Sequence, residues 1–234
     1  MAKRQTETPQ LQASNLKFLE QLSEHNNREW FNEHKDRYLL ELEQMETFAE
    51  GLLSMLSAHD VIETPSGKQS LQRIYRDTRF SKDKTPYKTH WSGGFRRATK
   101  FRRGGYYFQI QPGNKTFVGG GFWNPNAEDI KRIREDIAFD PAPLRKILNS
   151  ASFRKTFGVL QGEQLKTAPK GFDAGHEAID LLRYKQFLLI RTFTDKEVLD
   201  AGFMKEMNRT FEAMRPFLDY MSDVLSTDEN GLSI

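Results

Sequence analysis

The chain has 234 residues, with 35 Lys or Arg, 32 Asp or Glu, no Cys and a formal net charge of +3. This length holds one domain or two small ones, and 18 Phe, 7 Tyr and 3 Trp exclude a wholly disordered chain. The missing Cys excludes disulfides, Cys-zinc sites, iron–sulfur clusters and thiol catalysis; with no apolar run of the roughly 18 residues that span a bilayer and no apolar h-region after Met1, the expectation is a soluble, cytoplasmic protein with no membrane partner.

In chain order, residues 1–13 are polar and expected to form a disordered tail. Ser14 caps an expected helix to about His25, with Leu16, Leu19 and Leu22 on one side. Asn26 to Glu29 is a capping-box variant that starts a long helix. Its stripe, Phe31, Tyr38, Leu42, Met45, Ala49, Leu52 and Leu56, reads as continuous, opposite an acidic face of Glu41, Glu43, Glu46 and Glu50. Thr64-Pro65-Ser66-Gly67 ends this unit. Leu71 to Asp77 reads as a strand with Arg73, Tyr75 and Asp77 on one face and Ile74 and Arg76 on the other. Residues 78–103 lack apolar periodicity and read as a long loop, a feature that is often functional.

Tyr106–Gln111 and Thr116–Val118, joined by Pro-Gly-Asn-Lys, form a hairpin signal. Gly119-Gly120-Gly121 marks a bulge or a close approach, of another backbone or of a ligand. Asn126 caps a helix with Ile130, Ile133 and Ile137 inward, and Asp140-Pro141 starts another. A short helix follows within Phe153–Leu160, then a loop, a short helix at Glu177–Leu182 and a buried strand at Lys185–Phe193. A last helix from about Asp200 to Leu225 carries Pro216, which should kink or split it. Hairpins outnumber strand–helix–strand repeats, so the expected class is α+β with a mainly antiparallel sheet packed with several helices. The expected layout is a tail over 1–13, a single domain over 14–226 and a C-terminal tail over 227–234.

The net charge conceals a split. Residues 1–67 carry −6, residues 68–103 carry +10 and residues 104–234 carry −1. The cationic stretch holds the densest pattern, Arg73-Ile-Tyr-Arg76-Asp77-Thr-Arg79-Phe80-Ser-Lys82-Asp83-Lys84-Thr-Pro86-Tyr87-Lys88. Guanidinium groups suit phosphate or carboxylate because they donate two parallel hydrogen bonds. Arg73, Arg76, Arg79, Lys84, Tyr87 and Lys88 are therefore the candidate ligand-binding residues. Asp77 and Asp83 would orient the cations, hold Mg²⁺ or act as a base. His90, beside Trp91, is the third acid–base candidate. The competing reading is an Arg–Asp network that locks a loop onto a sheet. Surplus cations favour the anion site.

The stretch Asn26-Asn-Arg-Glu-Trp-Phe31 with Lys35 and Tyr38, the block Arg76-Asp-x-Arg-Phe-x-x-Asp-Lys-x-Pro-Tyr-Lys88, Gly104-Gly-Tyr-Tyr107 and Gly119-Gly-Gly-Phe-Trp123 resemble one bacterial and fungal family. So do Leu165-Lys-x-x-Pro-Lys-Gly-Phe172 and Leu182-x-x-Lys-x-Phe187. This is the conserved hypothetical protein family known as domain of unknown function 2461. The resemblance runs from about residue 15 to 225. It implies one domain and supplies no mechanism. The chain departs from the family's Asp-His-Pro at Gly175-His176-Glu177, so no role is carried over onto that pair.

His176-Glu177-Ala-Ile-Asp180 is similar to a zinc helix only superficially, since Asp stands at the second ligand position, and ordinary helix capping is the better reading. No P-loop, Rossmann fingerprint or nucleophile elbow occurs, and no metal site is expected; no cofactor is indicated. Lys170, in the loop Lys166–Gly171, is a further candidate cation. The expected function is binding of a phosphate- or carboxylate-bearing small molecule. One alternative is nucleic acid, with Phe80, Tyr87, Trp91, Phe95 and Phe101 as stacking rings among the cations. The other is a structural protein whose basic loop docks on an acidic partner.

Overall fold

The computed structural model describes residues 9–98 and 101–227, so the tail expected over 1–13 lies outside the described residues as far as position 8, and the C-terminal tail does so from 228. From Pro9 onward the chain is packed: Leu11 is 2% exposed and the Gln10 side chain donates to the Leu199 carbonyl at 2.7 Å.

The first helices are α1 (Ala13–Glu24), α2 (Arg28–Glu33), α3 (Lys35–Ser57) and α4 (Gly67–Ser70). Then come β1 (Trp91–Arg96), β2 (Gly105–Ile110) and β3 (Thr116–Phe122). The remainder is α5 (Ala127–Phe139), α6 (Ala142–Leu148), α7 (Ala151–Phe157), α8 (Ile179–Leu182), β4 (Phe187–Phe193), α9 (Asp195–Val198) and α10 (Phe203–Ser226). The four strands form one antiparallel sheet in the order β1-β2-β3-β4. The class is α+β, as the hairpin-rich pattern implies.

Two compact units share the chain. The first comprises Met1–Phe95, Tyr107–Val118 and Thr192–Arg209. Its core takes Leu16, Phe18, Leu19 and Leu22 from α1 and Met45, Phe48, Leu52 and Leu56 from α3. The long helical stripe is broken at His34, where φ −107° and ψ 18° leave the helical well between α2 and α3. Asn27 caps α2 by accepting from the Trp30 amide. Glu41 does not belong to a solvated acidic face: it is 4% exposed and accepts from Ser14 Oγ at 3.0 Å and Asn15 Nδ2 at 2.6 Å. A buried carboxylate needs such donors. Gly67 lets α4 lie against α3, where a Cβ would stand 2.2 Å from the Glu50 nitrogen.

Two further sequence expectations are corrected in this unit. Residues 71–77 form no continuous strand but make two isolated bridges, Leu71 to Gly93 and Tyr75 to Tyr87. The expected loop over 78–103 contains β1, which is apolar enough to bury Trp91 and Phe95. The hairpin of β2 and β3 is as expected. Its turn takes positive φ at Gly113 and Asn114, and Asp195 accepts from both amides at 2.8 and 3.0 Å.

The second unit comprises Arg96–Tyr106, Gly119–Arg191 and Thr210–Ile234. Ile133, Leu144, Phe153, Leu182, Phe187 and Met214 are buried in it. Among its described residues the wholly buried cation is Arg97, which pairs with Asp219 and donates to Ser222 Oγ at 3.1 Å and to the Arg103 carbonyl at 3.2 Å. α10 runs through Pro216 without interruption. Close approach of backbone explains the glycine run. At Gly121 φ is +117° and a Cβ would lie 2.1 Å from the Phe187 carbonyl oxygen.

Gly121→Ala and Gly158→Ala separate the two demands on glycine. Gly158 has φ +72° with nothing within 4 Å of a Cβ, so its substitution adds only backbone strain, about 1–3 kcal/mol. That is a Tm loss of roughly 2–4 °C per kcal/mol at this chain length. Gly121→Ala should lose at least twice as much. Equal losses by differential scanning calorimetry would show that the contact with Phe187 is not what requires glycine.

Candidate functional site

The cationic block is shaped by a short antiparallel ladder inside the first unit. The Arg76 amide donates to the Pro86 carbonyl at 2.9 Å, and the Lys88 amide donates to the Ile74 carbonyl at 2.8 Å. These rungs close the excursion 77–85. The ladder is held to the α1–α2 junction by a reciprocal pair: Asn26 Nδ2 donates to the Tyr87 carbonyl at 2.9 Å and the Tyr87 amide donates to Asn26 Oδ1 at 3.1 Å. The Tyr87 ring stacks on Phe31 at 4.0 Å, which buries both.

Much of the excursion neutralises itself. Asp77 accepts from Arg79 Nε at 3.0 Å and Nη2 at 2.6 Å, with both side chains largely exposed. Lys84 Nζ donates to the Thr78 carbonyl at 2.9 Å. Asp83 accepts from the Thr85 amide at 2.9 Å, from the Thr85 hydroxyl at 2.8 Å and from Arg76 Nη1 at 2.5 Å. Arg76 also donates to the Thr85 carbonyl at 3.2 Å and to its hydroxyl. The Thr85 amide, then Arg76, hold Asp83 down to about 2. The Arg79 guanidinium lowers Asp77 in the same sense. Both carboxylates are thus firmly ionised acceptors and weak bases at neutral pH.

Two cavities flank Arg76. One, of about 370 Å³, is lined by Asn26, Arg76, Asp83, Lys88, Thr89 and His90 among others. The second, of about 330 Å³, is lined by Arg28, Asn32, Tyr75, Thr78 and Pro86. Arg76 and Tyr87 line both. Of the residues expected from the sequence, the structure therefore brings together Arg76, Asp83, Tyr87, Lys88 and His90. Arg73, Asp77, Arg79 and Lys84 line neither cavity. Nor does Lys170, which is exposed in the second unit. Asn26, Arg28, Asn32 and Tyr75 are the additions. For Asn26 and Arg28 the one signal in the sequence is that the Asn26–Phe31 stretch shares the family resemblance with the cationic block; Asn32 lies just beyond it.

The first cavity is electropositive. Lys88 Nζ donates to a neutral amide, Gln72 Oε1, at 2.8 Å, and its pKa is lowered by burial and by Arg73. His90 is pushed down to about 4 by burial, then by the charges of Lys88 and Arg76. The imidazole is neutral at pH 7, so its role is that of a hydrogen-bonding group rather than a proton carrier.

Other expected sites resolve simply. His176 Nδ1 accepts from the Ala178 amide at 3.0 Å and Nε2 faces the Ala138 carbonyl at 3.2 Å, so both ring nitrogens are engaged just ahead of α8, whose start has no side-chain cap. His34 stacks on Trp30 at 4.0 Å. Among the described residues, no three His, Asp or Glu side chains gather as a metal ion requires. Of the proposed stacking rings, Tyr87, Trp91 and Phe95 are buried at 4, 3 and 1% exposure, leaving Phe80 at 96% and Phe101 at 42%. Lys100 lies outside the described residues. Among the described residues, no helix is long and apolar enough to cross a membrane.

Fold and site together define an α+β protein with a small cationic cleft built on an aromatic-pinned ladder. The chain belongs to the family described as conserved hypothetical protein (DUF2461), whose model matches residues 14–220. Comparison with curated proteins and with solved structures gives no match.

The depressed His90 sets a pH dependence. An unfolded His binds its proton near 6.5, whereas folded His90 does so only near 4. As pH falls from 6.5 toward 4, the unfolded chain takes up a proton that the native state refuses, so stability is lost in that window. His90→Gln should lose less stability than the parent between pH 7 and 4.5 in urea titrations. Parallel losses in the two proteins would mean that His90 titrates normally.

Proposed function

We propose that the cavity of Arg76, Lys88 and His90 binds a small molecule through a phosphate or carboxylate group. The supporting observation is that these three groups share one cavity with a single carboxylate, Asp83, which is already committed to Arg76 and Thr85. Among the described residues, Lys88 has only a neutral oxygen, Gln72 Oε1, to balance it. An incoming oxyanion would meet the Lys88 ammonium and the Arg76 fork with part of the desolvation already incurred in the free protein. The cavity is sized for one compact group. A cytoplasmic setting, where such metabolites abound, belongs to the same reading. No reaction is assigned.

Nucleic acid is the weaker reading. Burial of Tyr87, Trp91 and Phe95 removes the run of rings that successive bases would need. Burial of Arg97 also takes one cation out of any extended surface. What favours it is Phe80, fully outside on the 77–85 excursion with Arg79 5.9 Å from its ring centroid.

Isothermal titration with inorganic phosphate, sulfate and citrate at fixed ionic strength tests the proposal. At least one anion should bind, and Lys88→Met and Arg76→Met should each weaken it at least tenfold. Lys88→Met removes a charge that burial disfavours, so it should keep the fold. Arg79→Met should bind as the parent does. Binding indifferent to Lys88, or none at all, overturns the reading.

A further inference from the structure

The second cavity is not a copy of the first. Its walls are ring and ring-like faces. Tyr75 is 54% exposed, yet its ring is fixed: it stands edge-on to Phe31 at 5.9 Å and 5.5 Å from Tyr87. Pro86 adds a flat apolar surface beside them. The polar groups are of another kind too. The Asn32 amide offers one donor face and one acceptor face. Arg28 contributes a guanidinium with no carboxylate in ion-pair range among the described residues. A half-exposed tyrosine immobilised by two rings is an uncommon surface feature for a loop, because it offers a preorganised face at little entropic cost. A volume of about 330 Å³ holds one planar ring system with room for its substituents.

Arg76 and Tyr87 belong to both cavities, so one ligand can occupy the two at once. It would place an oxyanion beside Lys88 and a flat, hydrogen-bonding ring against Tyr75. We infer that the ligand is a nucleotide, with its phosphate in the Arg76–Lys88–His90 cavity and its base in the Tyr75–Pro86–Asn32 cavity. This rests on the anion reading above and narrows it. The base stacks on Tyr75, its edge meets the Asn32 amide and Arg28, and the sugar passes over Arg76.

Titrations with inorganic phosphate, ribose 5-phosphate, the four ribonucleoside monophosphates and free adenosine test this. At least one nucleotide should bind ten times or more tighter than ribose 5-phosphate, the gain expected of one stacked base. Tyr75→Ala should erase that gain and leave ribose 5-phosphate affinity unchanged, while Tyr75→Phe should keep it. Asn32→Ala, which removes none of the packed rings, should reduce it and alter which base is preferred. If ribose 5-phosphate binds in a Lys88-dependent way and no nucleotide improves on it, the nucleotide assignment fails and the anion site stands. If a nucleotide gains tenfold and Tyr75→Ala leaves that gain intact, the assignment of the base to this cavity fails. If neither phosphate nor any phosphorylated ligand binds, both fail.

Discussion

The two cavities depend on one small piece of bonding: the rungs between Ile74–Arg76 and Pro86–Lys88, clamped by Asn26 and by the Tyr87 ring on Phe31. Each contributes through a different force. The rungs set which side chains point to which side. The Asn26 amide satisfies both main-chain groups of Tyr87, which an isolated bridge would otherwise leave to solvent. Stacking on Phe31 ties the ladder to the helical core through α2.

The electrostatics follow from that geometry. The excursion contains its own carboxylates, and each is consumed locally, Asp77 by Arg79 and Asp83 by Thr85 and Arg76. Of the two cations on the ladder, Arg76 takes Asp83 and Lys88 faces only an amide. His90 loses proton affinity first through burial and then through the charges of Lys88 and Arg76. The same groups that make a loop-locking network therefore also leave a local positive surplus. The two readings of the cluster divide between its parts: locking in the excursion, surplus charge on the ladder.

The α+β class, the hairpin and several helices were legible because they rest on local signals: periodicity, turn residues and caps such as Asn126, while the caps expected at Ser14 and Asn26 fall on Gln12 and Asn27 instead. What was not legible depended on distant partners. Glu41 sits on the polar side of a helical wheel, and only the approach of Ser14 and Asn15 makes it a buried acceptor. His34 ends α2 in a sequence whose apolar spacing continues unbroken. β1 lies in a stretch rich in Gly, Ser and Arg, where its apolar content is diluted. At the site, alternation set Tyr75 with Arg73 and opposite Arg76, yet Tyr75 and Arg76 line one cavity and Arg73 lines neither, since 71–77 is no continuous strand. Arg28 and Asn32 come from a segment more than forty residues upstream, and no pattern in the cationic block points to them.

The chemistry available to the cleft is bounded by its proton affinities. Asp83 near 2 and His90 near 4 leave no side chain of the first cavity poised at neutral pH in the empty protein. Burial depresses His90 first, and the neighbouring positive charges that add to it are what an oxyanion would cancel. A bound phosphate places negative charge against Lys88 and Arg76 and removes two of the causes that hold His90 down, leaving burial as the remaining one. Occupancy and His90 protonation are then linked in both directions: the anion raises the imidazole's proton affinity, and a protonated imidazole strengthens the anion's hold. In the empty cleft the imidazole is neutral at pH 7, and an anion beside Lys88 would raise its proton affinity against a burial that still lowers it.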